Sequence, residues 1–311
     1  MWTRSFFFLF LSVSFSLSTA AHFGSSGRRF ATATFTRRRA RAPIPLPVPV
    51  TSKSSTDEIL KLRGGAGPLD SSIVVKTASV VAGIQGLLMQ FAPVDTAITY
   101  GLDEEGSKKP MNALAASYAG TSIVTWAATA AYLGFVDNAT VKGAFSVCLH
   151  VWAYENLRNL LGKSFQKAGA DPNVIKSYLV VELLGLYGMT LDYWDTILKV
   201  LGVFFSLSGL HLILDPAGAS KLWNKYEETD DIGKAWMQSF GGGILSQALI
   251  FVAMSFLDYD GLKAVGLSIV PIFILNVYAF VSGMDDKLGV PRNSKLFWLA
   301  YDAAIMYTTL F

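Results

Sequence analysis

The chain has 311 residues, 52% hydrophobic and only 16% charged, against roughly 25% charged in a soluble domain. That deficit points to a membrane protein, and the single cysteine, Cys148, excludes an intrachain disulfide or a zinc or iron–sulfur site built on several thiolates of one chain. The net charge of +3 is unevenly placed: residues 1–56 hold no Asp or Glu, and the rest of the chain is mildly acidic, which gives no support to nucleic acid as a partner.

Arg4 precedes an apolar run over residues 5–16, and small residues follow at Ser18, Thr19, Ala20 and Ala21. A positive start, a short apolar centre and small residues at a cut make a signal peptide over residues 1–21, and the run is too short to span a bilayer. Residues 22–66 then carry Arg28, Arg29, Arg37, Arg38, Arg39, Arg41 and Lys53 among Ser, Thr and Ala, a transit-peptide composition. Pro43, Pro45, Pro47 and Pro49 alternate with other residues and predict an extended linker. The tandem arrangement resembles the bipartite plastid presequences of algae with secondary plastids, diatoms among them. Those place a Phe first after the signal-peptidase cut; here a cut after Ala21 places Phe23 second. The resemblance implies a plastid membrane, thylakoid or inner envelope. The alternative is a plain secretory signal followed by a basic linker, which implies the endoplasmic reticulum or another secretory membrane.

From residue 72 onward the apolar pattern predicts eight helices, over 72–91, 112–135, 141–162, 174–191, 196–214, 234–257, 262–283 and 295–311. Most reach the 18 or so residues that cross about 30 Å of hydrocarbon. The fourth and eighth are the shortest, and each holds an acid near its middle, Glu182 and Asp302. Strict apolar/polar alternation of the barrel kind is absent from the sequence.

The region is written twice. Gly86-Leu87 with Pro93 is echoed by Gly209-Leu210 with Pro216, Ser117 and Gly120 by Ser239 and Gly242, Asp137 with Lys142 by Asp258 with Lys263, and Pro172 with Lys176 by Pro291 with Lys295. The expected fold is therefore an all-α membrane protein, a parallel tandem duplication of a four-helix unit over residues 72–191 and 196–311. The four-helix unit loosely resembles DoxX-like membrane proteins, on helix count and the Gly-Leu motif; no activity is carried over from that. Lys108, Lys109, Lys163, Lys167, Lys221, Lys225, Lys287 and Arg292 cluster in the loops after helices 1, 3, 5 and 7, which places those loops in the cytosol or stroma.

Ionisable groups inside membrane spans are costly, so Glu182, Asp302 and Glu155, with the neutral Asn276, are the candidate ligand- or ion-binding residues. Glu182 and Asp302 each sit in the last helix of a repeat, where a twofold packing would bring them to a shared central cavity; the competing reading is a hydrogen bond to Tyr187 or Tyr301. Glu155 and Arg158, three apart, predict a local ion pair. His150 and His211 are the two histidines after the presequence and are candidate metal or cofactor ligands, with no cofactor specified. Ala113, Ser117 and Thr121, matched by Ser239 and Gly243, predict close helix packing. The acids around residues 103–105 and 227–231 predict solvated loops, with Asp230 or Asp231 capping a helix. No catalytic motif is present: no GxSxG, HExxH or histidine box. The leading expectation is a multi-pass plastid protein binding or moving a small ligand or ion at the repeat interface. Structural or assembly proteins, and membrane enzymes or pigment binders, are the alternatives.

Overall fold

The computed structural model describes residues 70–223 and 229–311; the expected signal and transit segments, over residues 1–66, lie outside the described residues, as do residues 224–228. Among the described residues the fold is all helical. Eight helices have 17 residues or more: α1 (Ser71–Phe91), α4 (Pro110–Phe135), α5 (Val141–Leu161), α7 (Pro172–Gly188), α8 (Trp194–Leu214), α10 (Asp231–Phe256), α11 (Gly261–Ser282) and α13 (Arg292–Leu310). Five short helices join them: α2 (Pro93–Thr99), α3 (Glu104–Ser107), α6 (Ser164–Lys167), α9 (Pro216–Trp223) and α12 (Met284–Leu288). The sequence pattern predicted the long helices to within a few residues and none of the short ones.

Four helices, α1, α8, α10 and α11, are long and apolar enough to cross a membrane. This is fewer than the eight expected. α7 is short, with 17 residues. α4 has length, at 26 residues, but is rich in Ser, Thr and Asn. Its threonine hydroxyls are satisfied within the helix: Thr121, Thr125 and Thr129 each donate to the carbonyl four residues back, at 2.8–3.0 Å. Almost all of α4 is covered by other helices, so its low hydropathy costs nothing against lipid. The outer helices carry the opposite pattern. Ile73, Val80, Ile84 and Leu88 on α1, and Val200, Val203, Leu207 and Leu214 on α8, recur at helical spacing and are exposed. So many large apolar side chains facing outward suit hydrocarbon rather than water.

α4 and α10 pack on each other at the centre. α1 lies on α4, and α8 on α10; α5 lies between α4 and α7, and α11 between α10 and α13. α13 reaches α1, and α7 reaches α8. Exchanging the first four long helices for the last four leaves this set of contacts unchanged.

The local geometry explains the Gly-Leu-x5-Pro motif. Pro93 and Pro216 each open a short helix, and the residue before each cannot stay helical beside the proline ring. Ala92 and Asp215 accordingly take nearly the same backbone, φ −131°, ψ 58° and φ −132°, ψ 66°. Gly86 and Gly209 are the crossing points of their helices. A Cβ on Gly86 would lie 2.8 Å from the Gly120 carbonyl oxygen, and one on Gly209 2.7 Å from the Leu245 amide and 2.9 Å from the Gly241 carbonyl. Small residues let backbones meet in this way. The close partner of Gly209 is Gly241; Gly243, grouped with Ser239 by spacing, instead lies against Ser122 of α4.

The turns before α5 and α11 also match. Asn138 and Asp258 hold positive φ, at 56° and 51°. Thr140 and Asp260 then cap the helices, accepting from the amides of Gly143 at 3.1 Å and Leu262 at 3.0 Å. Asp230, of the two residues expected, caps α10 by accepting from the Gly233 amide at 3.0 Å. It also accepts from Lys109 and Asn112 at 2.7 Å, which ties the start of α4 to the start of α10.

Candidate functional site

The buried carboxylates fall into two kinds. Glu155 of α5 is fully buried and has a complete set of donors. Arg158 donates from Nε at 2.8 Å and from Nη2 at 2.5 Å, Asn159 at 2.7 Å, and Gln90 of α1 at 2.5 Å. Arg158 also lies over the Phe91 ring, 5.0 Å from its centroid. Gln90 in turn accepts from Ser117 of α4 at its carbonyl, 3.0 Å. The predicted local pair is thus one edge of a cluster that locks α1, α4 and α5 together. Every acceptor position that faces protein is filled, so the arrangement serves cohesion rather than ligand capture.

Glu182 and Asp302 are different. Each is buried, 5% and 3% exposed, in the last long helix of its half. The partner of each is an asparagine on the preceding long helix, not a tyrosine or serine. Asn156 Nδ2 donates to Glu182 Oε1 at 2.6 Å, and Asn276 Nδ2 donates to Asp302 Oδ2 at 2.8 Å. The two members of each pair are 26 residues apart. Asn156 and Asn276, and Glu182 and Asp302, stand at one common offset in the sequence. Asn276 is legible as a candidate from sequence; Asn156 is not, because it stands beside the Glu155–Arg158 pair, which accounts for the local polarity. The signal was there: an Asn the same distance ahead of both acids. The expected hydroxyl partners are otherwise engaged, since Tyr301 donates to the Ala78 carbonyl at 2.6 Å and Tyr187 is exposed.

The expected shared central cavity is not formed. The pairs line two separate cavities, because α4 and α10 fill the centre between them. Glu182 lines one of about 120 Å³, walled by α4, α5, α7, α8, α9 and α10. Asp302 lines another of about 280 Å³, walled by α1, α4, α10, α11 and α13 with α12 at its edge. Each cavity therefore takes walls from both halves of the chain.

Their chemistry differs. Around Glu182 the walls are aromatic: Tyr118, Trp152, Tyr178, Trp223 and Phe240. Tyr118 Oη donates to Asn156 Oδ1 at 2.6 Å, which turns the amide so that its nitrogen faces Glu182. Glu182 Oε2 has no hydrogen-bond partner. A buried carboxylate oxygen left unmatched is costly, and it is the one such carboxylate oxygen among the described residues. Around Asp302 the same cavity also reaches Lys295, whose ammonium is bonded to Asp286 at 2.7 Å. Lys295 is buried while Lys176, its predicted counterpart, is exposed. The Pro-Lys echo is one residue out of register: α7 begins at Pro172, but Pro291 caps α13 from outside.

The remaining candidates are placed apart. His150 lies on the outward side of α5, its Nδ1 2.7 Å from the Ser146 carbonyl oxygen, and lines neither cavity. His211 sits near the end of α8 at the rim of the Glu182 cavity. Among the described residues no three His, Cys, Asp or Glu side chains come together as a metal site. Cys148 is buried on the wall of the Glu182 cavity, 3.6 Å from Gln247 Oε1. Gln247 also accepts from Trp152 Nε1 at 2.8 Å and donates to the Ser122 carbonyl at 2.7 Å, which joins the cavity wall to the α4–α10 crossing.

Comparison with protein-family models, with curated proteins and with solved structures finds no match to this chain.

Proposed function

We propose that this chain is an eight-span plastid membrane protein, a parallel duplication of a four-helix unit, that binds or moves a small ligand or ion at two sites between its halves. The sites are the Asn156–Glu182 and Asn276–Asp302 pairs. One observation carries the reading: the same carboxamide–carboxylate pair stands on corresponding helices, and each copy borders a cavity. Such a pair buried at the midplane of a span is expensive unless something compensates it. On the Glu182 copy one oxygen still awaits a partner. The duplication is supported by the matched turns at Ala92 and Asp215, the matched glycine crossings and the contact set that survives exchange of the halves. The plastid address rests on the presequence resemblance.

Native mass spectrometry of the protein purified from its own membrane tests the site. The wild type should carry a bound small species that Glu182→Leu or Asp302→Leu loses while the protein still accumulates. If both variants retain everything the wild type carries, the pairs are not ligand sites. A fluorescent fusion together with N-terminal sequencing tests the address: signal confined to the endoplasmic reticulum rules out the plastid. The rival reading, an assembly protein without a substrate, draws on the Glu155 cluster, where every buried charge is already matched.

A further inference from the structure

The Glu182 cavity permits the ligand class to be named, on the premise that it is a ligand site at all. Its walls contain one acid, and among the described residues neither a lysine nor an arginine lines it. Arg158, two residues after Asn156, is spent on Glu155. Asn156 can offer Glu182 only one N–H, because Tyr118 fixes the amide's orientation, and that N–H goes to Oε1. Oε2 is left without a hydrogen-bond partner, in a side chain more than nine-tenths buried.

Around it stands an aromatic box. Tyr118 packs on Trp223 at 5.0 Å and on Phe240 at 5.6 Å between ring centroids, and Trp223 on Phe240 at 5.5 Å. Aromatic faces attract cations within about 6 Å, the more so where water is excluded. The volume, about 120 Å³, is of benzene size, since an apolar cavity of roughly 150 Å³ holds benzene. A metal ion is poorly served by one carboxylate among rings, and an anion is repelled. We infer that the cavity binds a small organic ammonium ion, its N–H donated to Glu182 Oε2 and its carbon skeleton held against Tyr118, Trp223 and Phe240. The other cavity is lined by Asp285 and Lys295 as well as Asp302, and among the described residues it holds no buried carboxylate oxygen without a partner.

Isothermal titration calorimetry on the full chain in zwitterionic lipid nanodiscs at pH 7 tests this with butylammonium and with 1-butanol, its neutral isostere. Empty nanodiscs correct for partition into lipid. Butylammonium should bind at least tenfold more tightly than 1-butanol. Glu182→Gln should lower butylammonium affinity at least tenfold and leave 1-butanol within about twofold, while Glu104→Gln, at an exposed acid of α3 that lines neither cavity, changes neither. Should Glu182→Gln fail to fold, Glu182→Asp, which keeps the charge but withdraws it by one methylene, should weaken butylammonium selectively. Equal binding of the two probes, or butylammonium binding indifferent to Glu182 in a folded variant, overturns the ammonium assignment alone. No binding of either probe, with no species co-purifying with the wild type, overturns the site as well.

Discussion

Gly120 of α4 faces Gly86 and Gln90 of α1 across a close backbone crossing. A Cβ at Gly120 would lie 2.6 Å from the Gln90 amide nitrogen and 2.7 Å from the Gly86 carbonyl oxygen. Ordinary contact begins at 3.4 Å, so Gly120→Ala leaves a deficit of 0.8 Å. Both atoms are backbone, and no rotamer change relieves them; α1 must move away from α4. Overpacking of that order costs about 1–3 kcal/mol, offset by about 0.5–1 kcal/mol from the better helix propensity of alanine. The net expectation is a loss of up to about 2.5 kcal/mol. The shift would also pull Gln90 from Glu155 and add to the loss. Gly83 is the control on the same helix pair: its Cβ would meet Ala127 at 3.6 Å, an ordinary contact, so Gly83→Ala should be neutral or slightly stabilising. Equilibrium unfolding in mixed micelles reads both variants. Gly241→Ala should behave like Gly120→Ala, since its Cβ would lie 2.5 Å from the Leu212 Cβ and 2.8 Å from the Gly209 carbonyl. Equal stability of Gly120→Ala and Gly83→Ala would refute the close-crossing account.

Arg158→Met removes the two donors from Glu155 that carry charge and should cost about 3 kcal/mol, much of it recovered by adding Glu155→Gln; an unfolding series on the single and double variants checks it. Asn156→Leu strips Glu182 of its one donor and leaves Tyr118 Oη without an acceptor, so it should destabilise more than Asn276→Leu, where one bond is lost, in the same assay. Burial pushes the Asp230 carboxyl up, but Lys109, the Gly233 amide and Asn112 outweigh it and hold the group below the ordinary carboxylate range. Its stabilisation is therefore full above the unfolded-chain value of about 3.9 and fades as pH falls through the lower folded value. Asp230→Asn should be less stable than the wild type near neutrality, and thermal melts should show the gap narrowing below about pH 4.

The long helices were legible because apolar runs of that length have one structural meaning. Their partners were not. The Gly86 and Gly209 echo marked a motif, but only packing identifies Gly120 and Gly241 as the backbones each must meet. Spacing brought Glu182 and Asp302 forward as a repeated feature, whereas their separation into two cavities depends on α4 and α10 filling the centre, which no periodicity encodes. Asn156 escaped notice beside a more conspicuous ion pair. Lys295 looked like a repeat marker of the loop; a one-residue shift in where α13 starts turns it inward to Asp286. The presequence reading lies outside the described residues and rests on composition alone.

The most direct test of the central claim is an experimental density map of the wild-type protein from its native membrane, at a resolution that shows small molecules. The account predicts non-protein density in the Glu182 cavity, within hydrogen-bond reach of Oε2, and its loss in Glu182→Leu. A cavity that is empty, or closed by its own aromatic side chains onto Glu182, would contradict it.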